Sequence, residues 1–79
     1  MRIYFFTVFL LEGGIKLLKD NVTRYRTKLG ISILELARRS GVSRDVLYQI
    51  ENGKRHNVQM VTIEKLAKTF NTTVQDLIK

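Results

Sequence analysis

Residues 30–55 read GISILELARRSGVSRDVLYQIENGKR, and this stretch decides the fold. Leu36 and Ala37 close one apolar stripe, and Val46, Leu47 and Ile50 form a second at helical spacing. Gly41 interrupts them. Lacking a Cβ, it takes the left-handed backbone that a sharp corner between helices needs. Ser43 follows as an N-cap, its hydroxyl accepting from an orphan backbone N–H of the next helix. Ala37 is small enough to let two helices cross closely. The pattern predicts two short helices around a tight turn, the second over Arg44–Asn52.

The same helical periodicity extends on both sides. Val22, Tyr25, Arg26 and Leu29 fall on one face of a helix that ends at Gly30. Ser32 caps a helix over Ile33–Ser40, and the motif's second helix stops at Gly53. After a polar and charged loop, Lys54 to Gln59, a helix over Val61–Phe70 buries Ile63, Leu66, Ala67 and Phe70. Thr73 caps a last short helix with Val74, Leu77 and Ile78 turned inward. With no proline in the chain, punctuation falls to Gly30, Gly41, Gly53 and Asn71. The expected architecture is all-α, with five helices over residues 21–79. Two helices around such a turn form a helix-turn-helix, the unit that sets its second helix in the DNA major groove.

Charge agrees with a polyanionic partner. The chain has 79 residues and a formal net charge of +7. Residues 1–20 carry a net of only +1, whereas eight basic groups fall between Arg24 and Arg55: Arg24, Arg26, Lys28, Arg38, Arg39, Arg44, Lys54 and Arg55. They flank and include the motif, where phosphates would lie. The absence of cysteine excludes disulfides and thiolate metal sites. The single histidine, His56, has no ligand partners nearby and reads as an exposed loop residue. No metal or cofactor is expected. No Ser-His-Asp, metal-spaced or Gly-rich phosphate pattern occurs, so an enzyme is not expected.

Residues 1–20 differ in kind and read as an extension. Ile3 to Leu11, IYFFTVFLL, is a continuous apolar run, too short for a membrane helix of about 20 residues. It lacks the small-residue cleavage site of a signal peptide. High β-propensity makes it a strand, and pairing with the same strand of a second subunit would cover its edge. Glu12-Gly13-Gly14 is a hinge before Ile15-Lys16-Leu17-Leu18, which docks on the domain in this reading. A second reading is genetic: Glu-Gly-Gly is what an in-frame ribosome-binding site encodes, so residues 1–16 would be an upstream extension of a chain beginning near Leu17.

At Ser43 to Arg55, SRDVLYQIENGKR, the chain resembles the lambda-repressor-like, Cro-type family of phage and bacterial helix-turn-helix regulators. The similarity covers about residues 21–79. Gly41-Val42-Ser43, Ile50-Glu51-Asn52-Gly53-Lys54, Leu66-Ala67-Lys68 and Val74-Gln75-Asp76-Leu77 carry it. The resemblance implies a compact five-helix DNA-binding domain whose third helix reads base edges. By position, the reading residues are Ser43, Arg44 and Asp45, with Gln49 one turn on. Arg44 suits a bidentate pair with guanine O6 and N7, and Gln49 one with adenine N6 and N7. Asp45 has two readings: an acceptor for cytosine N4, or an acid that stabilises the helix dipole and holds Arg44. Tyr48 either reaches a phosphate or thymine methyl, or covers the core edge.

Phosphate contacts are expected to bracket that helix. Candidates are backbone N–H groups at the start of helix two and at Asn52 and Gly53, with Lys54, Arg55, Asn57 and Gln59 in the following loop. Two positions depart from the family pattern. Ile33 stands where glutamine often contacts phosphate and braces the reading side chain, and Val58 stands where proline often follows the loop. The family further implies an internal ion pair between Arg26 and Glu51. Together these imply a sequence-specific regulator of transcription that binds double-stranded DNA, acting as a cytoplasmic repressor and homodimer. It needs no cofactor or membrane. The alternative is an antitoxin or adaptor that uses the same domain and docks a protein partner through residues 3–11.

Overall fold

A computed structural model describes residues 15–55 and 57–78. The strand reading of Ile3–Leu11, the hinge at Gly13-Gly14 and the reading of His56 lie outside these residues. The described chain is five α-helices: α1 (Ile15–Leu29), α2 (Ile33–Ser40), α3 (Arg44–Glu51), α4 (Met60–Thr69) and α5 (Val74–Ile78). α1 packs on α3 and α5, α2 packs on α3 and α4, and α4 packs on α5.

Each helix end has a local cause. The Ser32 hydroxyl accepts from the Glu35 N–H at 3.0 Å, and the Ser43 hydroxyl from the Val46 N–H at 3.1 Å. Thr73 does the same for Asp76 at 3.1 Å. These caps satisfy orphan donors at the starts of α2, α3 and α5. At the other ends, Gly30, Gly41, Gly53 and Asn71 all have positive φ. α1, α3 and α4 close with paired bonds of the Schellman type. For α3, Gly53 N–H donates to the Ile50 carbonyl at 3.2 Å and Lys54 N–H to the Gln49 carbonyl at 2.9 Å. α2 closes with one bond, Gly41 N–H to the Ala37 carbonyl at 2.9 Å, and this gives the corner of the motif.

The core lies where the five helices converge. Leu18 and Val22 from α1, Leu36 from α2, Leu47 and Ile50 from α3, Ile63 and Leu66 from α4, and Leu77 from α5 are fully buried or nearly so. Burying each leucine or isoleucine stabilises the fold by about 1.5–3 kcal/mol. Ile33 and Ala37 pack against this core, and Val58 is itself buried, so the two departures from the family pattern fill apolar space. Tyr25 stacks on Phe70 with ring centroids 5.3 Å apart, tying α1 to the end of α4. The buried Asn21 donates from Nδ2 to the Leu77 carbonyl at 2.8 Å, which ties α1 to α5.

Two expectations about α1 are corrected. The helix begins at Ile15 rather than near Asn21, and Leu18, from the segment expected to dock on the domain, is a full member of the core inside that helix. Leu29 lies on the expected stripe but is 49% exposed, because it occupies the last turn before the chain leaves at Gly30. Among the described residues, no helix is long and apolar enough to cross a membrane.

Candidate nucleic-acid interface

The two faces of α3 are divided by residue type. At about 100° per residue, Val46, Leu47, Ile50 and Glu51 share one side of the helix, and Arg44, Asp45, Tyr48, Gln49 and Asn52 share the other. The structure buries the first side: Leu47 and Ile50 are core residues and Val46 packs against them. The second side is exposed throughout. The helix is thus anchored by its apolar face and presents five polar or aromatic side chains to solvent.

These side chains differ in how far they are already committed. Arg44 makes no hydrogen bond or ion pair with any described residue, Asp45 included, so the expected Asp45 hold on Arg44 is absent. Asp45 sits in the first turn of α3, where its charge favours the helix dipole. Ser43 is exposed and its oxygen accepts the cap bond. Tyr48 is 55% exposed and does not join the core, so it does not cover the core edge. Gln49 is held: its Oε1 accepts from Nη1 of Arg55 at 2.8 Å. Sequence reasoning gave these two residues separate roles and missed the contact between them.

The backbone donors expected at the end of α3 are corrected. Asn52 N–H donates to the Tyr48 carbonyl at 3.0 Å and Gly53 N–H to Ile50, so neither is open to a phosphate. Asn52 Nδ2 also bonds the Tyr48 carbonyl, at 2.7 Å. A helix C-terminus offers carbonyls rather than free N–H groups, which is the physical reason. Lys54, Asn57 and Gln59 are exposed in the loop that follows, and Arg55 is half-buried there. Gln59 caps α4 by position without a side-chain bond. Gly53 serves geometry: at φ 69° it reverses the chain, and a Cβ at this position would lie 3.5 Å from the Lys19 stem.

A buried polar cluster fixes the inner end of α3. Arg26 donates from Nε to Glu51 Oε2 at 2.8 Å and from Nη2 to Oε1 at 3.0 Å. Its Nη1 reaches the Ile31 carbonyl at 2.8 Å, and the Thr23 hydroxyl donates to Glu51 Oε1 at 3.1 Å. The Glu51 side chain is 6% exposed and that of Arg26 20%. The hydrogen bond to Glu51 raises the Arg26 pKa above its ordinary value, so the guanidinium stays charged. The structure therefore brings Arg26 and Glu51 together, with Thr23 as a third member that its type and position did not announce.

α2 carries a second, exposed cluster. Glu35 accepts from Arg38 Nη2 and Nε at 2.6 and 3.0 Å, and from Arg39 Nε at 2.8 Å. Hydrogen bonds from Arg38, then Arg39, pull the Glu35 carboxyl down to about 2. Two of the eight basic groups around the motif are thereby partly neutralised. No group of three or more His, Cys, Asp or Glu side chains among the described residues could hold a metal ion.

Comparison with known proteins agrees with this geometry. The helix-turn-helix family model matches residues 22–77. An uncharacterized HTH-type transcriptional regulator of Coxiella burnetii is 30% identical over 61 residues, covering 77% of this chain and 28% of that protein. Two uncharacterized HTH-type transcriptional regulators of Archaeoglobus fulgidus match over 60 residues each. They are 32% and 30% identical, the matches covering 76% of this chain and 84% and 83% of theirs. No solved structure matches.

Proposed function

The chain belongs to the helix-turn-helix family of lambda-repressor-like, Cro-type proteins, and on that premise we propose that it is a sequence-specific, double-stranded-DNA-binding regulator of transcription. The observation that carries this reading is the exposed side of α3, where Arg44, Asp45, Tyr48, Gln49 and Asn52 stand clear of the core. A helix so mounted enters the major groove with its leading turn toward the bases. Arg44, free of partners among the described residues, pairs with guanine. Ser43 and Asp45 face the neighbouring base edges, and Tyr48, Asn52, Lys54 and Asn57 meet the flanking backbone.

The regulator acts as a repressor in the cytoplasm, occluding the promoter. As a homodimer it spans two half-sites about 34 Å apart. Selection of bound sequences from random duplex DNA at fixed salt tests the function. Enrichment of a palindromic site is expected. Enrichment of nothing, with binding that depends only on salt, would overturn sequence-specific reading.

A further inference from the structure

The Gln49–Arg55 contact changes what Gln49 can recognise. On a continuous helix, residues six apart are separated by about 9 Å along the axis and do not meet. Here the left-handed turn at Gly53, closed by Lys54 N–H on the Gln49 carbonyl, folds the chain back alongside α3. Arg55 Nη1 then lies 2.8 Å from Gln49 Oε1. A guanidinium has donors only, so the carboxamide atom that faces it must be the oxygen. Arg55 is itself set into the surface, its Nε buried without a partner among the described residues. A freely solvated phosphate-binding cation would not sit this way.

We propose that Arg55 is a positioning residue for base recognition, replacing from the far side the brace that Ile33 cannot supply. With its oxygen held by Arg55, Gln49 offers the Nε2 amide donors to the groove. The base it addresses is guanine, which presents two acceptors there, N7 and O6. Adenine pairs with a free carboxamide through one donor and one acceptor, and Arg55 occupies one of the two lone pairs of that acceptor and fixes its direction, which disfavours adenine. The second terminal nitrogen of Arg55 remains open to a backbone phosphate, linking register to reading. This inference rests on the DNA-reading function set out above.

Site selection from random duplexes with wild type, Gln49→Ala, Arg55→Ala and Lys54→Ala tests it. The base pair relaxed by Gln49→Ala is the one that Gln49 addresses, and in wild type it should be a G·C pair. Arg55→Ala should lower that preference about tenfold, the equivalent of 1.4 kcal/mol. Adenine should gain there while other positions keep their preferences. Lys54→Ala should weaken every sequence alike. An Arg55→Ala protein that behaves as Lys54→Ala does, or an A·T pair at that position in wild type, overturns the positioning role. A wild type that enriches nothing overturns the DNA-reading function itself, and this inference with it. NMR of the free protein gives a second readout that needs no loop variant. Rotation of the Arg55 guanidinium should be slowed in wild type and fast in Gln49→Ala, whose change lies on an exposed helix face. Free rotation in wild type would overturn the contact.

Discussion

Glu51 and Glu35 are both glutamates gripped by arginine, and they have opposite consequences. Glu51 is 6% exposed, accepts from Arg26 and Thr23, and ties the end of α3 to α1. Glu35 is 28% exposed, and its partners Arg38 and Arg39 are 75% and 49% exposed along one helix. A buried pair strands a charge when one member is removed, whereas water and salt replace a partner at the surface. The first pair therefore fixes where α3 sits, and the second sets how much positive charge surrounds it.

The largest expected effect is on the buried side. Glu51→Ala should destabilise the fold by about 3–5 kcal/mol in chemical denaturation. Replacing both members, Arg26→Met with Glu51→Leu, should recover much of that loss, because no charge is then stranded. An unchanged denaturation midpoint for Glu51→Ala would erase the distinction between the pairs. Leu18→Ala, which touches neither pair, should cost about 2–5 kcal/mol and would verify that α1 belongs to the core from its first turns.

Binding effects come next. Arg44→Ala should cost about 1–3 kcal/mol and relax one base position in competition assays against point-substituted duplexes. The smallest effect is at Glu35. Glu35→Gln should leave melting nearly unchanged, yet make the salt dependence of DNA binding steeper by about one unit as Arg38 and Arg39 are released. A parallel salt slope would mean that α2 lies far from the phosphates. The sign of the pH dependence follows from its depressed value. The Glu35 contribution is complete above its ordinary carboxylate range and is lost as pH falls through about 2. DNA affinity should therefore not change through Glu35 between about pH 5 and 8, as fluorescence anisotropy would report.

Much of the fold was legible because its stops are local chemistry. Gly30, Gly41, Gly53 and Asn71 all take the left-handed backbone, and Ser32, Ser43 and Thr73 all cap. The start of α1 was not legible. The clear stripe of Val22, Tyr25, Arg26 and Leu29 begins only after Asn21, and one buried leucine at position 18 cannot announce a helix by itself. In the site, the exposed side of α3 follows from periodicity, and the family resemblance brought Arg26 to Glu51. The Gln49–Arg55 contact was hidden because it spans six positions and exists only after the chain reverses at Gly53. For the same reason the closing bonds of α3, which occupy the Asn52 and Gly53 donors, were misread as open groups.

Titrating an enriched duplex into isotope-labelled protein would locate the reading surface residue by residue. Amide and side-chain shifts should concentrate at Ser43, Arg44, Asp45, Tyr48, Gln49 and the loop through Asn57, with α5 unmoved. Shifts confined to α4 and α5, with Arg44 and Gln49 silent, would show that this domain meets DNA by another face and that α3 does not read it.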